Sequence, residues 1–232
     1  NFDIRKNKKI KFIIIHYTAL KNSKEALSYL CNPNKKVSSH FLISQKGEIF
    51  SLVDEAKRAW HAGISFWKNN TDINSNSIGI ELDYSPNHKN NIFSKKMICS
   101  LLNLLRYLKN KYNLNQDNIL AHSDVSPFRK KDPGLRFPWQ KLYNKDLAFN
   151  PVQESNYDLN IIKSWFYKNN LKTDKSISIF ILSYIGFDTR NILKESRLYS
   201  KLIKVYKLHF IQSETSSKLD KQTLSFLIKH FL

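Results

Sequence analysis

His122 and Asp132 stand ten residues apart in the stretch AHSDVSPFRKKDPGLRFPW, Ala121 to Trp139, which Pro127, Pro133 and Pro138 stiffen. An imidazole and a carboxylate held in so rigid a loop can share one metal ion, and constrained loops commonly position chemistry. Pro133 biases Asp132 toward an extended backbone and Gly134 permits a turn directly after it, which sets the carboxylate at a corner rather than on a helix. A catalytic zinc typically takes three protein groups and keeps one position for water, so a third ligand has to come from elsewhere in the chain. His16 is one candidate, at the end of the run KFIIIHYT. His61, in RAWHAG, is a possible fourth metal group, and is equally suited to hydrogen bonding with a substrate. In NSIGIELD, strand alternation turns Glu81 away from Ile78, Ile80 and Leu82, and Gly79 on the same face leaves room for a ligand or a close backbone.

These residues need a scaffold, and the sequence predicts an α/β fold: a mixed central β-sheet flanked by helices, followed by a small all-helical C-terminal domain. Lys11 to Thr18 is a continuous apolar run, as a buried strand requires, and its C-terminal end is the sheet edge where ligands gather. Residues 24–31 read as a short helix closed by Asn32-Pro33-Asn34. HFLIS and EIFSLV, joined through Gln45-Lys46-Gly47, read as a hairpin, which makes the sheet mixed. Ser94 caps a helix reaching Tyr112, with Met97, Ile98, Leu101, Leu102, Leu105 and Leu108 at helical spacing. A short strand from Asn118 to Ala121 then delivers His122, as the first strand delivers His16, and Trp139 to Leu147 forms a closing helix. We expect a first domain over residues 1–149, a linker over 150–156 and a helical domain over 157–232. In the last of these, Tyr157 to Tyr167, Arg190 to Lys207 and Asp220 to Phe231 carry helical periodicity. A unit of about 75 residues is near the lower limit of independent stability, so it should dock on the first domain.

Composition narrows the partners. The net charge of +19, from 38 Lys and Arg against 19 Asp and Glu, favours anionic ligands. The lysines are spread along the chain without a dense cluster, so no nucleic-acid role is expected, and an anionic polymer such as a cell wall fits equally well. Cys31 and Cys99 lack C-x-x-C spacing, which argues against a redox motif or a cysteine zinc site and for two buried small apolar residues. Phe12–Ile15 and Ile177–Ile185 fall short of the roughly 18 to 20 residues that span a bilayer. The chain begins at Asn1 rather than a methionine, which is compatible with a trimmed product and a removed leader. Phe66 and Trp67, in the asparagine-rich loop after RAWHAG, either form a stacking platform for a sugar or peptide or cover the sheet as a satellite cluster.

The pieces IIIHYT, SSHFLI, RAWHAG, SIGIEL and AHSDVSPFRKKDPG with FPW occur in that order over the first 150 residues. Together they resemble the zinc-dependent N-acetylmuramoyl-L-alanine amidases of the type 2 amidase family, whose fold peptidoglycan recognition proteins share. The resemblance implies that His16, His122 and Asp132 bind Zn2+, that Glu81 activates the water and that Lys130 assists. It also implies that Trp60, His61, Ala62 and Gly63 contact a peptidoglycan or muropeptide substrate. Periplasm or cell envelope is the expected compartment, with the cytoplasm as the other. A non-catalytic recognition module would resemble the same family but lack a zinc ligand, whereas all three are present here. LDKQTLSFL, near the end, resembles the last helix of peptidoglycan-binding modules, although the glycines usual there are missing. Within FRKKDP, extended backbone before Pro133 should send Lys130 toward the metal and Lys131 away from it.

Overall fold

The computed structural model describes residues 1–6, 9–87, 92–151, 158–212 and 216–232. In chain order the elements begin with β1 (Phe2–Ile4), β2 (Phe12–Tyr17), α1 (Ser23–Cys31), β3 (Phe41–Ile43), β4 (Ile49–Ser51) and β5 (Lys57–Ala59). They continue with α2 (Ile73–Asn76), β6 (Ser77–Leu82), α3 (Lys95–Tyr112), β7 (Ile119–Ala121), α4 (His122–Val125) and α5 (Trp139–Tyr143). The C-terminal region adds α6 (Leu159–Lys168), α7 (Asp174–Ile185), α8 (Ser196–Tyr206) and α9 (Lys221–Phe231).

Five strands form the main sheet in the order β4-β3-β6-β2-β7. β3, β6, β2 and β7 run parallel, and β4 returns antiparallel from β3 through the hairpin at Gly47, whose φ of +85° suits a residue without a side chain. Parallel strands are covered on both faces, which is why Phe12 to Ile15 is apolar without alternation. Ile13 and Ile15 pack with Met97, Leu101 and Leu105 of α3, while Phe12 and Ile14 face the other way, into a core shared with Ile181, Leu202, Tyr206 and Leu227. The helices from α6 onward thus close the second face of the sheet, in keeping with the expected docking. On α3, Ser94 Oγ accepts from the Met97 amide at 3.1 Å, the cap predicted from the sequence.

Several local expectations are revised. α7 coincides with the apolar run Ile177–Ile185, from which no helix was predicted. Its buried Ile177, Ile181, Leu182 and Ile185 and its outer Phe180 and Tyr184 leave no polar stripe to mark a 3.6-residue period. Thr173 Oγ1 accepts from the Ser176 amide at 3.0 Å and fixes where it starts. The helix expected from Arg190 starts at Ser196, because Glu195 is extended, and beyond Tyr206 it widens into a π-turn, Lys207–Ile211. α5 ends at Tyr143 rather than Leu147. The β1–β5 ribbon was not foreseen. Cys31 and Cys99 are both exposed, on the outer sides of α1 and α3, so helix position outweighs the usual burial of this residue type. Most of the expected linker, and Tyr157, lie outside the described residues. No helix among the described residues is long and apolar enough to cross a membrane.

Candidate metal centre

β2 and β6 lie side by side in parallel, with His16 in register with Glu81, so the two side chains leave the C-terminal edge of the sheet together. β7, the other parallel neighbour of β2, ends at Ala121 and hands over directly to His122. The loop that follows is tied back by the Ser123 amide donating to the Asp132 carbonyl at 3.0 Å, which brings Asp132 beside His122. His122 opens the one-turn helix α4, a detail that the reading of a continuous loop missed. Asp124 caps that turn, accepting from the Ala121 amide at 2.7 Å and from His209 Nδ1 at 2.7 Å. The π-turn after α8 thereby reaches from the C-terminal region to the segment that carries His122.

Three atoms converge. The Nδ1 atoms of His16 and His122 are 2.9 Å apart, and Asp132 Oδ2 is 3.2 Å from the first and 2.9 Å from the second. One ligand atom from each of the three residues lies within 4.8 Å of the others, and all three side chains are buried. His122 Nε2 is 3.1 Å from the Ala62 carbonyl, an atom that can only accept, so the ring's proton is on Nε2 and Nδ1 offers a lone pair. Bare imidazole nitrogens and a carboxylate at such distances repel one another unless a cation lies among them. The residues therefore fit a metal ion with nitrogen and oxygen ligands.

Electrostatics follow from burial. Loss of solvent lowers the His16 pKa to about 4, with His122 acting in the same direction and Asp132 opposing. Burial pushes Glu81 up to about 8, and Asp132 adds to the effect while Lys130 opposes it. Glu81 Oε2 is buried without a hydrogen-bond partner. Lys130 is half-buried and its charge acts on both Glu81 and His16, whereas Lys131 is exposed.

The substrate-contact run implied by the resemblance is placed differently. Trp60 is half-buried and its Nε1 donates to Asp3 Oδ2 at 2.7 Å, while Gly63 is exposed at φ +59°. His61 and Ala62 are buried and turned inward: His61 Nδ1 is 3.0 Å from His16 Nε2, and the Ala62 carbonyl meets His122. His61 Nδ1 and the Ala62 carbonyl are engaged with the two histidines and both amides donate to Asn74 Oδ1, so the dipeptide does not face solvent, and His61 is outside the converging set. Trp67 packs against Phe187 as part of the core covering the sheet, the satellite reading of the two left open. Ser77, whose hydroxyl is 3.2 Å from His61 Nε2, was missed because a serine at a strand start carries no distinctive signal.

Four histidines, of which His16, His40 and His61 are buried and His230 half-buried, make the metal-free protein sensitive to acid. His16 is held at about 4, His40 and His230 at about 3, and His61 well below its ordinary value, each chiefly by burial. Between pH 6.5 and those values the unfolded chain binds protons that the folded one refuses, so stability falls as pH drops through this window. Glu81 and Asp83, both raised by burial, have the opposite sign, Glu81 losing its contribution as pH rises from its unfolded value toward 8, but they are two groups against four. Thermal melts of metal-free protein should show a lower Tm at pH 5 than at pH 6.5. An unchanged Tm would contradict these buried neutral states.

Comparison with known proteins agrees with this geometry. Residues 6–135 match the Amidase_2 family, described as N-acetylmuramoyl-L-alanine amidase. The chain belongs to that family. It is 31% identical over 229 residues, 93% of this chain and 80% of the relative, to N-acetylmuramoyl-L-alanine amidase AmiD of Escherichia coli (strain K12). The structure of AmiD from E. coli with the substrate anhydro-N-acetylmuramic acid-L-Ala-D-γ-Glu-L-Lys superposes with a TM-score of 0.79 at 29% identity, covering 94% of this chain and 87% of that one. AmpDh3 of Pseudomonas aeruginosa in complex with anhydromuramic pentapeptide gives a TM-score of 0.79 at 25% identity, covering 94% and 89%. This amidase family member therefore shares its fold with those enzymes across its C-terminal helices as well as its sheet.

Proposed function

We propose that this protein hydrolyses the amide between N-acetylmuramic acid and L-alanine in muropeptides, using one zinc ion held by His16, His122 and Asp132. The observation that carries the reading is the convergence of those three buried ligand atoms beside Glu81, on the fold of the family's amidases. Two imidazoles and one carboxylate are a catalytic rather than a structural zinc set. A zinc ion bound there supplies Lewis acidity toward water and the amide carbonyl. Glu81 takes the proton from the attacking water and returns it to the departing L-alanine nitrogen. Lys130 holds its ammonium where the carbonyl oxygen becomes anionic. A non-catalytic recognition module has no use for a buried, unpartnered carboxyl beside three ligands.

Because the AmiD and AmpDh3 complexes contain anhydromuramyl peptides, we assign this chain the same substrate class. Residues 1–149 carry the chemistry in this reading. The helical region expected over 157–232 closes the sheet and presents Trp165 and Tyr184 on its outer side, aromatic faces suited to stacking on sugars. Metal analysis tests the zinc assignment: one zinc per folded chain is expected, with activity lost to a chelator and restored by zinc. Folded protein that contains no zinc, or keeps full activity once stripped, would contradict it.

A further inference from the structure

We infer that His61 and Ser77 are positioning residues for His16, holding its ring in the tautomer that presents a bare Nδ1 to the metal. The inference rests on the reading of His16 as a ligand and gives His61 a task other than contact with substrate. The direction of the chain follows from its far end. The Ile73 carbonyl can only accept, and Ser77 Oγ is 2.6 Å from it, so the serine proton is committed there. Ser77 Oγ is then the acceptor for His61 Nε2, 3.2 Å away, and the proton of a neutral His61 is on Nε2. This leaves His61 Nδ1 bare, so at 3.0 Å the His16 Nε2 must donate to it. With its proton on Nε2, His16 turns an unprotonated Nδ1 toward His122 Nδ1 and Asp132 Oδ2.

The chain's own sequence makes room for this arrangement. A Cβ on Gly79 would stand 2.4 Å from His61 Cγ, so glycine at that place in β6 admits the ring. His61 is 6% exposed, which leaves little surface for a ligand. The next residue, Ala62, accepts from His122 Nε2 at 3.1 Å, so the dipeptide His61-Ala62 orients both imidazole ligands from behind. Ligand histidines generally use their second nitrogen in this way, and losing the partner costs about 10- to 100-fold in metal affinity.

Zinc affinity measured by competition with a chromogenic chelator, without any turnover, tests the relay. His61→Leu should bind zinc about 10- to 100-fold more weakly. His61→Asn, whose side-chain oxygen can occupy the place of Nδ1, should recover most of the loss, and Ser77→Ala should weaken binding less than His61→Leu. Long-range 1H–15N NMR spectra of metal-free wild-type protein provide a readout that needs no variant, and should show His16 and His61 both protonated on Nε2. Wild-type affinity in His61→Leu, no rescue by asparagine, or a His16 proton on Nδ1 would overturn the relay. If wild-type protein binds no zinc, the metal assignment fails instead, and the His16 tautomer alone decides the relay.

Discussion

Glu81→Gln should lower turnover by about 10²- to 10⁴-fold while the protein keeps its zinc. The substitution preserves shape and hydrogen-bonding reach and removes only the capacity to take up and release a proton. Glu81 is suited to that task because β6 sets it in register with His16, so a group near the metal is also near the base. Burial lifts its pKa to about 8, close to neutral pH, where a carboxyl can both accept and return a proton. Its Oε2 has no protein partner to compete for the proton. Steady-state kinetics with metal analysis on the same sample reads the result. A wild-type rate would reassign Glu81 to structure, and a variant without zinc would mean that the carboxylate supports the ligands rather than the chemistry.

Lys130→Ala should slow turnover by about 10²- to 10³-fold, the usual cost of removing one donor to a developing oxyanion. Lys131→Ala should stay within roughly a few-fold of wild type, because substitutions on the surface seldom matter much. The two lysines are adjacent and chemically identical, so only their placement separates them. Lys130 follows a turn in which its amide donates to the Ser126 carbonyl at 3.0 Å, and it is half-buried with its charge felt at Glu81 and His16. Lys131 is exposed. Kinetics on both variants, each checked for folding and zinc content, decides between them. Equal losses, or a larger loss for Lys131→Ala, would remove Lys130 from the proposed mechanism.

The parts of the site carried by side chains at strand ends were legible in the sequence. The apolar run Phe12–Ile15 has the length of a strand covered on both faces, and the residues that end it, His16 and Tyr17, emerge at a sheet edge. The alternation around Glu81 likewise fixed its face. The role of RAWHAG was not legible, because composition cannot say whether a histidine beside a tryptophan points outward or in. Half of what that segment does is done by the Ala62 carbonyl, which every residue type possesses. α7 was hidden for a different reason: a helix with apolar groups on most of its circumference shows no period. For Cys99, position on the helix outweighs residue type. Met97, Ile98 and Leu101 define the buried side of α3, and Cys99 falls off it.

Mass spectrometry of the products formed from a purified anhydromuramyl peptide tests the central claim most directly, with zinc-loaded protein in one reaction and stripped protein in another. Two products are expected from the loaded protein: the intact sugar acid, and a peptide that begins with a free L-alanine amine. The stripped protein should leave the substrate whole until zinc is returned. Cleavage within the peptide or the sugar, or the same products at the same rate without the metal, would contradict the account.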